Sequence, residues 1–159
     1  MLILVAIIYY INIDKSDYVY LEDRKSYIIK EADNTFLDKY LSNKKTMVVF
    51  TASWCKYCVE EQEELNTFIK ENKDKKIIIV SHDKNYEDLE KYLKDNNFNW
   101  FVILDKDKTI REHIDPGSSG IPSTYLLDKK KSIISMHKGT LTKDEFNTFF
   151  NEEMNVDIY

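Results

Sequence analysis

Glycine and proline are nearly absent from this chain of 159 residues, which contains three of the first and two of the second. Each one that remains therefore marks a backbone position with a special requirement, and Pro122 and Gly139 are the two that matter below. Cysteine is as scarce, with two residues and hence no structural disulfide framework, so the count alone does not choose between the cytosol and an oxidising compartment. The three histidines, His82, His113 and His137, stand singly. With no His-x3-5-His spacing and no third cysteine, a tetrahedral zinc set cannot be completed around the cysteines, and neither metal nor cofactor is expected. A strong excess of one charge is missing too. Charged residues make up 32% of the chain with a net charge of -5 and both signs interspersed, which describes a soluble surface and excludes a nucleic-acid binder.

The two cysteines sit together in Phe50-Thr-Ala-Ser-Trp-Cys55-Lys-Tyr-Cys58, where a β-branched apolar run gives way to a helical pattern. Two intervening residues place the second thiol one helical turn below the first, on the same face, where a small disulfide ring can close. At a helix start, the unpaired N–H groups of the first turn and the positive end of the helix dipole favour a thiolate over a thiol. Cys55 is therefore the candidate nucleophile and Cys58 the resolving thiol. The competing readings, half a zinc site or an inert pair, lack the further ligands in the first case and disregard the strand-then-helix setting in the second.

The first residues bear on compartment. Met1 to Ile13 is apolar except for Asn12 and is followed by the charged segment Asp14 to Lys25, the pattern of a membrane-targeting or anchoring segment. No Lys or Arg precedes the run, no small-x-small cleavage site follows it, and it is short for a bilayer span; the other reading is an N-terminal β-strand. The expected organisation is an apolar signal or anchor over 1–13, a charged tether over 14–26 and a single domain over 27–159.

Within that domain Tyr27 to Lys30 reads as a short strand, and Asp33 or Asn34 caps a helix bearing Phe36, Leu37, Tyr40 and Leu41. Thr46 to Phe50 is a continuous apolar run, as expected of a central strand covered on both faces. A helix follows from Cys55 to about Asn72, with Leu65, Phe68 and Ile69 in its buried stripe and Glu60, Glu61, Glu63 and Glu64 in its early turns. Strand Ile77 to Val80, helix Tyr86 to Asn96 and strand Trp100 to Leu104 alternate at the length of βαβ crossovers, which implies parallel pairing. After a short amphipathic turn at Ile110 to Ile114, Ser123 to Leu127 and Ser132 to His137 flank a polar turn and predict an antiparallel hairpin; a last helix starts near Thr142. The result is an α/β domain with a central mixed sheet flanked by helices, and the cysteines at the carboxyl end of a central strand.

These residues resemble a known family. Trp54-Cys-Lys-Tyr-Cys58 after an apolar strand, then Gly120-Ile-Pro-Ser-Thr-Tyr-Leu-Leu-Asp128, then Gly139 before a last helix, are similar to the thioredoxin superfamily over about Thr46 to Phe150. The helix and strand inserted before the proline loop, with Leu104-Asp-Lys-Asp-Lys-Thr-Ile, resemble the TlpA/ResA-type membrane-anchored thiol-disulfide oxidoreductases. The resemblance implies a thioredoxin-like fold with an inserted helix–strand unit before a cis-proline loop. It also implies that Cys55 attacks substrate disulfides, that Cys58 resolves the mixed disulfide, and that Trp54, Lys56, Tyr57, Ile121 and Pro122 meet the substrate, with Pro122 as the cis-proline. From the residues alone a trans bond at Pro122 is the default. Glu61 matches an acidic position of that branch and is expected to face the sulfurs. The chain departs from the pattern in Lys-Tyr between the cysteines, where a proline usually precedes the second, in Glu63 where a helix proline is common, and in Val49 where thioredoxin has a buried aspartate.

The function expected is thiol-disulfide exchange with protein substrates, outside the cytoplasm and in the reducing direction, by a monomer attached to the membrane through its N-terminus and supplied by a membrane electron donor of the CcdA/DsbD type. The alternatives are a general cytoplasmic thioredoxin, a peroxiredoxin-like peroxidase and a non-catalytic thioredoxin-like binding module. Ala52 stands where the peroxidase pattern places a threonine three residues before the nucleophile, and the intact cysteine pair argues against a mere binding module.

Overall fold

The computed structural model describes residues 18–21, 26–29, 38, 41 and 43–152. Strand β1 (Tyr18–Leu21) and β2 (Ser26–Ile29) are followed by β3 (Thr46–Thr51), α1 (Lys56–Glu71), β4 (Lys76–Ser81), α2 (Tyr86–Asp95), β5 (Phe101–Leu104) and α3 (Thr109–Ile114). β6 (Ser123–Leu127), β7 (Ile133–Lys138) and α4 (Lys143–Phe150) complete the chain. The strands form one seven-stranded sheet in the order β1-β2-β5-β4-β3-β6-β7.

The expected mixed sheet is present. β3 pairs parallel to β4, with Thr46 opposite Lys76 and Thr51 opposite Ser81, and β4 pairs parallel to β5. On its other side β3 pairs antiparallel with β6, which turns back into β7 as the predicted hairpin. One expectation needs correction: the segment read as a charged tether contains β1, a Tyr-Val-Tyr-Leu strand paired antiparallel with β2. Aromatic and β-branched residues favour a pleated strand, and the expected strand β2 offers its edge in a pairing that sequence reading did not foresee. The apolar segment 1–13 and most of the helix expected after Asp33 lie outside the described residues; Asp38 and Leu41 are helical, and Leu41 is buried.

Alternation along β3 divides its side chains between two cores. Met47 and Val49 join Leu65 and Phe68 of α1, Leu89 and Leu93 of α2, and Phe146 and Phe149 of α4 on one face. Val48 and Phe50 join Leu41, Ile78, Val80, Ile110 of α3 and Tyr125 on the other. Every residue of β3 is buried, as a strand covered on both faces requires. Burying one such apolar side chain contributes roughly 1.5–3 kcal/mol, against roughly 0.3–1 kcal/mol for a charge at a helix end. Core packing of Leu65 and Phe68, rather than its caps, therefore sets where α1 lies and where its first residue delivers the cysteines. Gly139 occupies φ +107°, a conformation open to glycine, and its N–H donates to the Pro122 carbonyl at 3.0 Å. A Cβ there would meet only an ordinary contact with His137, so the special requirement at this position is the dihedral and not a close approach of the backbone.

Candidate active site

β3 ends at Thr51, and Ala52 to Trp54 carry the chain over the carboxyl edge of the sheet into α1. Cys55 is the N-cap of that helix, with extended backbone at φ -87° and ψ 114°, and its sulfur accepts the Cys58 N–H at 3.3 Å. The two cysteines are closed as a disulfide, with Cα atoms 5.2 Å apart. Cys55 is 7% exposed and Cys58 2%, so the outer sulfur is that of the expected nucleophile. Ile121 packs against the pair, and its carbonyl lies 3.7 Å from the Cys55 sulfur, within reach of a thiol donor in the reduced form. The Ile121–Pro122 peptide bond is cis.

The remaining expected site residues divide into two groups. Trp54 and Tyr57 are large exposed aromatics on either side of Cys55, at 65% and 60% exposure. Lys56 is exposed between them, 3.8 Å from Glu60 and over the Tyr57 ring. Glu61 behaves differently from its glutamate neighbours. It is 3% exposed, whereas Glu60, Glu63 and Glu64 are exposed. Its Oε1 accepts the Leu141 N–H at 2.8 Å, and burial pushes its carboxyl up from the ordinary 4.5 to about 7, only partly offset by that hydrogen bond. One helical turn past Cys58, it lies at the i,i+3 spacing that sets side chains beside each other. Glu64, though exposed, accepts the Lys143 N–H at 2.7 Å. The first turn of α1 holds no acidic residue, and Glu61 and Glu64 bind N–H groups at the entry to α4.

Sequence reading gave no site role to Asp83 and Arg111, which hold the site together, nor to His82, which lines it. The Asp83 carboxylate, 1% exposed, accepts from Ser53 N at 3.1 Å, Ser53 Oγ at 2.5 Å and Ser81 Oγ at 2.6 Å. It thereby anchors the loop two residues ahead of Cys55. Arg111, 1% exposed, clamps the proline loop: its guanidinium donates to the Gly120 carbonyl and Ser123 Oγ, both at 2.8 Å, and to Tyr125 Oη and Ser118 Oγ. Its Cζ stands 4.0 Å above the Phe50 ring, so the last core residue of β3 also carries the arginine. His82 lies at the carboxyl end of β4, with Nε2 3.6 Å from Asp105 Oδ2. The available signal was topological, because residues just past the ends of adjacent parallel strands meet at one edge of the sheet.

A helix-capping cysteine in a CxxC pair thus stands beside a cis-proline loop at the carboxyl edge of a mixed sheet. The model of the Redoxin family matches residues 26–151. This chain belongs to the Redoxin family. It is 34% identical over 106 residues to the thioredoxin-like protein YneN of Bacillus subtilis (strain 168), an alignment covering 64% of this chain and 61% of that protein. It is 26% identical over 144 residues to the thiol-disulfide oxidoreductase ResA of Bacillus thuringiensis subsp. konkukian (strain 97-27), covering 84% of this chain and 82% of that one. The crystal structure of StoA from Bacillus subtilis superposes with a TM-score of 0.62 at 22% identity, over 68% of this chain and 83% of that one. The resemblance to the TlpA/ResA branch of the thioredoxin superfamily thus holds in both sequence and fold, and it supports a thiol–disulfide redox role for the cysteine pair. Among the described residues no helix is long and apolar enough to cross a membrane.

Proposed function

We propose that this Redoxin-family chain is a thiol-disulfide oxidoreductase that reduces disulfides of protein substrates. The observation that carries the reading is the position of Cys55: its sulfur caps α1, receives the Cys58 N–H at 3.3 Å and faces the Ile121 carbonyl at 3.7 Å. Helix dipole and N–H donation both stabilise a thiolate there in the reduced form. In the forward reaction the Cys55 thiolate attacks one substrate sulfur, forming a Cys55–substrate disulfide as the substrate S–S bond breaks. The released substrate thiolate takes up a proton. Cys58, deprotonated, then attacks the Cys55 sulfur, closing the Cys55–Cys58 disulfide and releasing the second substrate thiolate to protonation. Two electrons pass from the protein dithiol to the substrate. Glu61, whose carboxyl titrates at about 7, is suited to exchange the Cys58 proton at neutral pH. Trp54 and Tyr57 border the docked substrate, with Lys56 between them, and the backbone at Ile121 and Pro122 receives the substrate strand.

The apolar Met1 to Ile13 supports a place outside the cytoplasm, held to the membrane by the N-terminus, where a membrane donor of the CcdA/DsbD type re-reduces the pair. The deciding experiment is trapping. Cys58→Ser is expected to accumulate mixed disulfides with substrate proteins and Cys55→Ser none, while the native dithiol reduces insulin and leaves peroxide unconsumed. Mixed disulfides formed through Cys58 in the Cys55→Ser protein would reverse the roles, and rapid peroxide consumption would make the chain a peroxidase.

A further inference from the structure

Beside the cysteines, the carboxyl edge of the sheet has a hollow whose lining includes Trp54, His82, Lys108, Arg111, Gly120 and Ile121. Two buried nitrogens of this lining, His82 Nε2 and Arg111 Nε, have no hydrogen-bond partner among the described residues. Arg111 is 1% exposed and His82 9%. The other donors of the Arg111 guanidinium reach neutral oxygens only, those of Ser118, Gly120, Ser123 and Tyr125, and the side chain forms no ion pair among the described residues. The carboxylates nearby are already engaged. Asp105 accepts the N–H groups of Ile110 and Arg111 besides lying 3.6 Å from His82, and Asp115 accepts the Tyr125 hydroxyl. Arg111 Nε can only donate, and His82 Nε2 donates in one of its two tautomers. Lys108, exposed at the rim, adds a second fixed positive charge. The Arg111 and Lys108 side chains thus bring two positive charges to the hollow, and the two nitrogens without a partner lie buried in its wall.

We propose that this hollow is a subsite for a carboxylate carried by the substrate polypeptide next to its reacting cysteine. The proposal rests on the oxidoreductase reading and names its substrate class: protein disulfides flanked by an acidic residue. The placement follows from two residues that the hollow shares with the cysteines. Trp54 directly precedes Cys55, and Ile121 lines the hollow while its carbonyl stands 3.7 Å from the Cys55 sulfur. A substrate strand lying along Ile121 with its sulfur at Cys55 brings an adjacent side chain over Lys108, His82 and Arg111. The exposed Lys108 ammonium can bind a carboxylate through a charge-assisted hydrogen bond, the buried Arg111 guanidinium adds charge attraction from behind, and a neutral amide of the same shape forgoes both.

The test uses the full chain as its dithiol and one peptide sequence carrying a 2-thiopyridyl disulfide, with Glu, Gln or Lys beside the cysteine and the C-terminus free or amidated. Release of thiopyridone gives kcat/KM, which is expected to be about tenfold higher for Glu than for Gln, and lowest for Lys. Lys108→Asn should shrink the Glu:Gln ratio and Lys108→Asp should turn the preference toward the Lys peptide; both residues tolerate the left-handed backbone, φ 59°, at that position. Because the ratio is the readout, a general loss of activity does not disturb it. Equal reduction of the Glu and Gln peptides, or a Glu preference that survives Lys108→Asp, overturns the subsite and leaves the oxidoreductase reading standing. A preference that vanishes on amidation assigns the carboxylate to the chain end and overturns the side-chain proposal. Failure to reduce any of the peptides removes both readings.

Discussion

Replacing Glu61 by Gln isolates one buried proton. The folded carboxyl titrates at about 7 and its ordinary value is 4.5, so between those pH values the folded protein keeps a proton that the unfolded chain has released. Stability contributed at this site is therefore highest below about pH 4.5, falls as pH rises to about 7 and is level above it. At ~1.4 kcal/mol per pH unit the span amounts to about 3 kcal/mol. Gln mimics the protonated acid and keeps an oxygen to accept the Leu141 N–H. The variant should thus match the native protein near pH 4 and exceed it by about 3 kcal/mol at pH 8. Urea unfolding of both proteins as disulfides, at a series of pH values, measures this difference. The carboxyls of Asp38 and Glu145, both held below their ordinary range by hydrogen bonds, from Lys131 and from Thr142 respectively, shift both proteins alike and cancel. A native-minus-variant difference that stays flat from pH 4 to 8 would refute the reasoning. In the reduced proteins, thiolate absorbance should rise at lower pH in Glu61→Gln than in the native protein, because the ionised carboxylate opposes a second nearby negative charge; Glu60→Gln should leave the curve in place.

Asp83→Asn removes a carboxylate that holds Ser53 and Ser81, and should cost about 2 kcal/mol in urea unfolding and slow mixed-disulfide formation at Cys55. Unchanged rates together with lowered stability would confine Asp83 to a structural role. Deleting residues 1–13 should move the protein from the membrane fraction to the soluble fraction without changing its melting temperature; a sharp fall in melting temperature would mean that the segment packs into the domain.

What the sequence by itself determined is local. The apolar run Thr46 to Phe50, the CxxC pair beyond it and the strand–helix alternation to Leu104 could be read because β-strands and helices impose periods of two and 3.6 on apolar residues, and because a helix start next to a cysteine has a chemical consequence of its own. By spacing alone Glu61 was one of four glutamates, and only the family resemblance set it apart. Its burial, its partner Leu141 eighty positions away and its raised titration follow from α1 packing against the entry to α4. Asp83, His82 and Arg111 carry no motif: each acquires its role where the end of β4 or the start of α3 is brought to the end of β3 and the Ile121–Pro122 loop. The strand β1 was hidden for the same reason, since a short run of strand-forming residues becomes a strand only where another offers its edge. Contacts between residues distant along the chain depend on the closure of the whole sheet, and no window of sequence contains them.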